Sequence, residues 1–171
     1  LAPAFVGAST LMFVSSYSGN TEETISSYLD AIKKKARIIV LTSGGRLEKL
    51  AGSDGYPVIK MPQGLPPRCA LGYSFAPALF ILSKFGLIKP KEGDISAAVK
   101  TITGVRDKLI GQAVPLKGNP AKKIARALKG RFCAIYGGSR NLDCVITRWR
   151  NQLNENSKSL AISHFLPEMD H

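Results

Sequence analysis

Cysteine and histidine are both scarce in this chain. Three cysteines, Cys69, Cys133 and Cys144, occur in 171 residues, with no paired spacing. That pattern excludes a disulfide framework and zinc-finger spacing. Each cysteine has apolar sequence neighbours, so buried free thiols in a reducing cytoplasm are expected. The two histidines, His164 and His171, form no ligand cluster with Cys or Asp, and neither a metal nor another cofactor is implied. Acidic residues number only 12 against 24 lysines and arginines, a net charge of +12. Such an excess favours anionic partners. The cations are scattered, however, and the densest run, Lys33-Lys34-Lys35, closes a predicted helix, where positive charge suits the dipole. No aromatic-rich RNA-binding strand accompanies them, so a nucleic-acid partner is not expected. Long apolar runs are also missing. Ala70 to Ile88 nears transmembrane length, but Pro77 and Lys84 interrupt it. A buried core helix is expected there, and no membrane partner. The first residues have no basic stretch and no initiator Met, unlike a signal peptide.

What is present is a strand–helix alternation. Thr10 to Val14 reads as a strand, followed by a helix to about Lys34 that Asn20 or Thr21 would cap. RIIVLT, Arg37 to Thr42, is a continuous apolar run of the kind found inside parallel sheets. Ser43-Gly44-Gly45 reads as a turn, Leu47 to Ala51 as a short helix and Pro57 to Met61 as a third strand. A long apolar helix is expected from near Cys69. Ile95 to Ile110 has helical periodicity, and Asn119-Pro120 opens another helix ending at Gly130. Phe132 to Tyr136 is then a strand, Gly137-Gly138-Ser139 a tight loop, Asn141 to about Glu155 a helix and Leu160 to Ser163 a strand. The fold class is α/β with doubly wound parallel sheets and flanking helices.

The most informative stretch lies between the first strand and the first helix: Ser15-Ser16-Tyr17-Ser18-Gly19-Asn20-Thr21-Glu22-Glu23-Thr24. A hydroxyl-rich loop there, with the free N–H groups of a helix start, suits an anion, most simply a phosphate. An ordinary N-cap cluster is the competing interpretation. Glu22 and Glu23 add to it, because they already complement the helix dipole.

Three stretches together resemble one family. They are SYSGNTEET (Ser16 to Thr24), PQGLPPRCALGY (Pro62 to Tyr73), and RWRNQLNENSK followed by HFLPEMDH (Arg148 to His171). The chain is similar to the bifunctional phosphoglucose/phosphomannose isomerases, which are built from two sugar isomerase (SIS) domains. The resemblance implies two partial SIS domains. Residues 1–90 would be a first domain lacking its first strand, 91–130 a helical connector and 131–171 the start of a second, so the chain resembles an internal segment of a longer protein. It also implies interconversion of glucose 6-phosphate and mannose 6-phosphate with fructose 6-phosphate through a cis-enediol, without a metal. By the same resemblance Ser16, Ser18 and Thr21 hold the phosphate, Arg68 stabilises the enediolate, Glu155 moves the proton, and His171 opens the ring from a neighbouring subunit of a homodimer. His164 is expected to be structural. The alternative is a non-catalytic SIS module that binds sugar phosphates for regulation. It would need the SYSGNT loop, but neither Arg68 nor Glu155 as reacting groups.

Overall fold

In the computed structural model, residues 1–138 and 142–166 are described. The chain divides into two compact units, Leu1–Ser96 and Ala97–His171.

The first unit is built on three parallel strands in the order β1-β2-β3, with β1 at Leu11–Ser16, β2 at Arg37–Thr42 and β3 at Val58–Lys60. The run RIIVLT becomes the central strand because only a strand covered on both faces can be apolar at every position. Ile38 to Thr42 are all buried. Helices α1 (Glu22–Lys33) and α2 (Gly45–Ser53) connect the strands. They turn Ile25, Tyr28, Ala31, Leu47 and Ala51 onto the sheet residues Val14, Ile38 and Val40. Tyr28 is fully buried there, and its hydroxyl donates to Asp54 Oδ2 at 2.7 Å. Burial, and secondarily the Asp54 carboxylate, push this phenol above its ordinary range.

Helix α3 (Leu71–Lys84) follows a 3-10 turn at Pro67–Cys69. It forms where the apolar run was expected, but it has no buried residue and Phe75 is 59% exposed. The buried core helix read from the sequence is corrected to a helix whose residues are at most partly buried. Phe85 and Leu87, just past its end, face Leu11 and Ile39 across a cavity of about 690 Å³. An apolar run guarantees a preference for burial, whereas burial itself needs a partner surface within reach. The cysteine expectation is corrected in the same way. Cys133 is buried, but Cys69 in the 3-10 turn and Cys144 in the first turn of a helix are exposed. Apolar sequence neighbours do not fix which way a turn residue points. Among the described residues no helix is long and apolar enough to cross a membrane.

Helix α4 (Glu92–Val105) runs across the boundary between the units and continues into a wider turn at Arg106–Ile110. In the second unit α5 spans Pro120–Leu128, with proline at its first position as expected. Its N-cap, Asn119, is completely buried. Asn119 Oδ1 accepts from Lys122 N at 3.0 Å, and Nδ2 donates to Gly111 O at 3.1 Å. Replacing Asn119 with alanine would leave the Lys122 N–H without its cap and remove one of the two bonds to Gly111 O, which keeps Val114 N at 3.0 Å. We expect a loss of about 2 kcal/mol in denaturant unfolding, against under about 0.5 kcal/mol for exposed Lys123→Ala.

Strands β4 (Cys133–Gly138) and β5 (Ala161–Leu166) pair in parallel, and α6 (Asp143–Asn156) connects them. Ile146 of α6 packs against Cys133, Ile135 and Ala161, with Leu153 and Phe165 alongside. The Asn141 start proposed for this helix and Ser139 of the preceding loop lie outside the described residues.

Candidate phosphate site and reaction residues

In a parallel sheet the loops leaving the carboxyl ends of adjacent strands lie side by side, and ligands bind in the crevice there. In the first unit three such loops meet. The first is Tyr17 to Thr21, after β1. Ser16, the last residue of β1, is 5% exposed and forms its floor. Ser16 Oγ lies 2.8 Å from Thr21 Oγ1 and accepts from Gly19 N at 3.1 Å. Ser18 Oγ accepts from Asn20 N at 3.2 Å. Ser18 and Thr21 are exposed at the rim. The loop thus brings all three proposed phosphate-binding hydroxyls together at the start of α1.

Thr21 occupies the N-cap position of α1 without a side-chain cap bond. Of the two cap residues the sequence offers, Asn20 or Thr21, it is Thr21 that takes the N-cap position, but neither side chain bonds the helix's first turn. Thr21 Oγ1 is directed to Ser16, and Asn20 Oδ1 accepts from Arg46 N at 2.9 Å, in the first turn of α2. The first-turn N–H groups of α1, which have no intrahelical acceptors, are therefore left without a side-chain cap from Thr21.

The second loop, Ser43-Gly44, interlocks with the first. Ser43 donates to Tyr17 O through both its backbone N (3.0 Å) and its Oγ (2.6 Å), and Leu47 N donates to Gly19 O at 2.8 Å. Gly19 has φ +69°, and a Cβ on it would stand 1.7 Å from Gly44 O. Only glycine fits both the dihedral and the space. The third loop begins at Pro62. Tyr17 Oη donates to Pro62 O at 2.9 Å and accepts from Leu65 N at 2.8 Å, while Gln63 Nε2 donates to Ser43 O at 2.8 Å. This loop leads through Pro66 into the 3-10 turn that carries half-buried Arg68.

Tyr17, Ser43 and Gln63 were not singled out in the sequence. The signal for Ser43 was available, since neighbouring parallel strands place their exit loops together. The bonds made by Tyr17 and Gln63 depend on side-chain direction across 20 to 48 residues of chain, and no local pattern encodes them.

In the second unit Glu155 sits exposed in the last turn of α6. The turn around it is firmly held. Asn154 Oδ1 accepts from Ala161 N at 2.7 Å and Nδ2 donates to Ala161 O at 3.2 Å, tying the helix end to β5. Lys158 Nζ donates to the Glu155 carbonyl at 2.6 Å. His164 lies exposed on β5, in register with Tyr136 of β4. His171, the proposed ring-opening residue, lies outside the described residues.

Both units are parallel α/β in build, and the first gathers hydroxyl groups in its strand-exit loops, an arrangement compatible with a sugar isomerase (SIS) fold. Consistent with this, a candidate phosphosugar isomerase from Clostridium difficile 630, of known crystal structure, superposes with a TM-score of 0.68 over 98% of this chain and 49% of that one, at 15% identity. The model of the bacterial phospho-glucose isomerase C-terminal SIS domain matches residues 117–171. The chain is 44% identical over 169 residues to a bifunctional phosphoglucose/phosphomannose isomerase of Caldicellulosiruptor bescii, covering 99% of this chain and 50% of that protein. It is 38% identical over 170 residues to the protein of that name from Thermoplasma volcanium, again 99% and 50%. The chain belongs to this family, the bifunctional phosphoglucose/phosphomannose isomerases. It spans about half the length of the curated relatives it matches.

Proposed function

We propose that the full-length protein interconverts glucose 6-phosphate and mannose 6-phosphate with fructose 6-phosphate. The observation that carries this reading is the gathering of Ser16, Ser18 and Thr21 in one loop at the start of α1, bonded through Tyr17 to the segment leading to Arg68. Hydroxyls and first-turn N–H groups hold a phosphate dianion without burying a counter-charge. In this reading Glu155 takes the C2 proton of the open-chain aldose as the carbonyl electrons shift to O1, giving a cis-enediolate. The O2 hydroxyl proton passes to O1, and the same carboxyl returns its proton to C1 as the C2–O⁻ collapses to the ketone. The Arg68 guanidinium offsets the charge that develops on the enediolate oxygens. Ring opening is assigned to His171, acting across a homodimer interface, on family resemblance alone. No metal is called on.

A coupled assay on the full-length protein tests this reading, with each aldose phosphate as substrate and fructose 6-phosphate as the detected product. Thr21→Val keeps the shape of the loop and deletes one hydroxyl. A hydrogen bond to a charged group is worth about 1.5–3 kcal/mol, so KM should rise about 10- to 100-fold with a smaller change in kcat. Calorimetric binding of the sugar phosphates with no turnover would sink the isomerase and favour the regulatory binding module.

A further inference from the structure

We propose that Tyr17 is a positioning residue for Arg68, a latch that fixes the arginine-bearing segment against the phosphate loop; this rests on the isomerase reading above. Tyr17 sits inside the phosphate loop, between Ser16 and Ser18, yet its side chain serves another segment. Its half-buried phenol oxygen uses both of its hydrogen-bonding capacities on one short piece of backbone, donating to Pro62 O at 2.9 Å and accepting from Leu65 N at 2.8 Å. Its own carbonyl is held by both Ser43 donors. Tyr17 is therefore anchored on the strand side before it reaches across to the Pro62 segment.

From Leu65 to Arg68 the chain has little freedom. Pro66 and Pro67 occupy the two intervening positions, with Pro66 extended at φ −57°, ψ 134° and Pro67 opening the 3-10 turn. Proline fixes φ, so a displacement at Leu65 is passed on to Arg68 instead of being absorbed. The consequence is a division of labour within SYSGNT. The serines and Thr21 face the phosphate, while the tyrosine between them sets where the guanidinium stands relative to that phosphate. Phosphate and enediolate belong to one small molecule, so the distance between the two parts of the site must be fixed, and misplacement by about 1 Å can cost about 100-fold in rate.

The test is Tyr17→Phe in the full-length protein, which keeps the ring and deletes both bonds. We expect kcat to fall about 10- to 100-fold with KM for the sugar phosphate within about twofold, because the phosphate hydroxyls are untouched. Amide exchange at Leu65 should accelerate, which reads the latch directly even if the variant is less stable. In an Arg68→Ala background Tyr17→Phe should have little further effect on kcat, since the latch acts through the guanidinium. An equal fall in both backgrounds, undiminished turnover in Tyr17→Phe, or unchanged Leu65 exchange overturns the latch and leaves the isomerase reading standing. Undiminished turnover in Arg68→Ala removes Arg68 from the reaction and the latch with it.

Discussion

Replacing Gly19 with alanine will unfold the candidate phosphate loop and destabilise the unit that carries it by at least about 3 kcal/mol. Two effects add. At φ +69° an alanine pays roughly 1–2 kcal/mol for the left-handed conformation alone. Its methyl carbon would then stand 1.7 Å from Gly44 O and 2.9 Å from Thr42 Oγ1, far inside any contact distance. The obstacle is backbone and cannot rotate away. Gly44 is itself held, since Thr42 Oγ1 donates to Gly44 O and accepts from Gly44 N. Both strand-exit loops must therefore move, breaking the bonds from Ser43 to Tyr17 O and from Leu47 N to Gly19 O. The melting temperature should drop by roughly 10 °C or more, and sugar-phosphate binding should disappear. Gly52→Ala is the matched control. It lies in α2 with nothing within 4 Å of its would-be Cβ, and alanine there should be neutral or slightly stabilising. If Gly19→Ala melts like Gly52→Ala, the two loops are not interlocked.

That interlock marks the limit of what the sequence makes legible. Elements set by local rules were readable. RIIVLT had to be a doubly covered strand, and it is β2. Asn119-Pro120 had to open a helix, and Asn119 caps α5. The placing of hydroxyls in one loop at a helix start was readable because a strand, a loop and a helix start are adjacent in sequence. Relations between loops were not. Asn20 or Thr21 was the expected cap of the helix that follows; Thr21 takes the position, while Asn20 Oδ1 accepts from Arg46 N, 26 residues on, because neighbouring strands bring their exit loops together. Helix α3 looked buried because its residues are apolar, but composition gives the preference and not the partner. Only resemblance to the family suggests the proposed roles of Arg68 and Glu155, since a lone arginine or a helix-end glutamate is usually solvated.

Glu155→Gln should lower kcat about 100- to 10,000-fold while sugar-phosphate binding, measured by calorimetry, changes little. The amide preserves size, but it carries no charge, offers an NH2 donor where the carboxylate had a second acceptor oxygen, and cannot take up the proton. Aldose–ketose isomerisation needs one group to take a proton from one carbon and return it to the next, and in the proposed reaction no other group shares that task. The position is well made for precision: Asn154 grips both backbone groups of Ala161, and Lys158 Nζ holds the Glu155 carbonyl, so the end of α6 is fixed where the carboxylate emerges. Asn154→Ala should therefore lower kcat less than Glu155→Gln does, through loss of position and not of chemistry. Wild-type turnover in Glu155→Gln would remove it as the base, and would show that the exposed helix-end carboxylate seen in this unit is an ordinary surface charge.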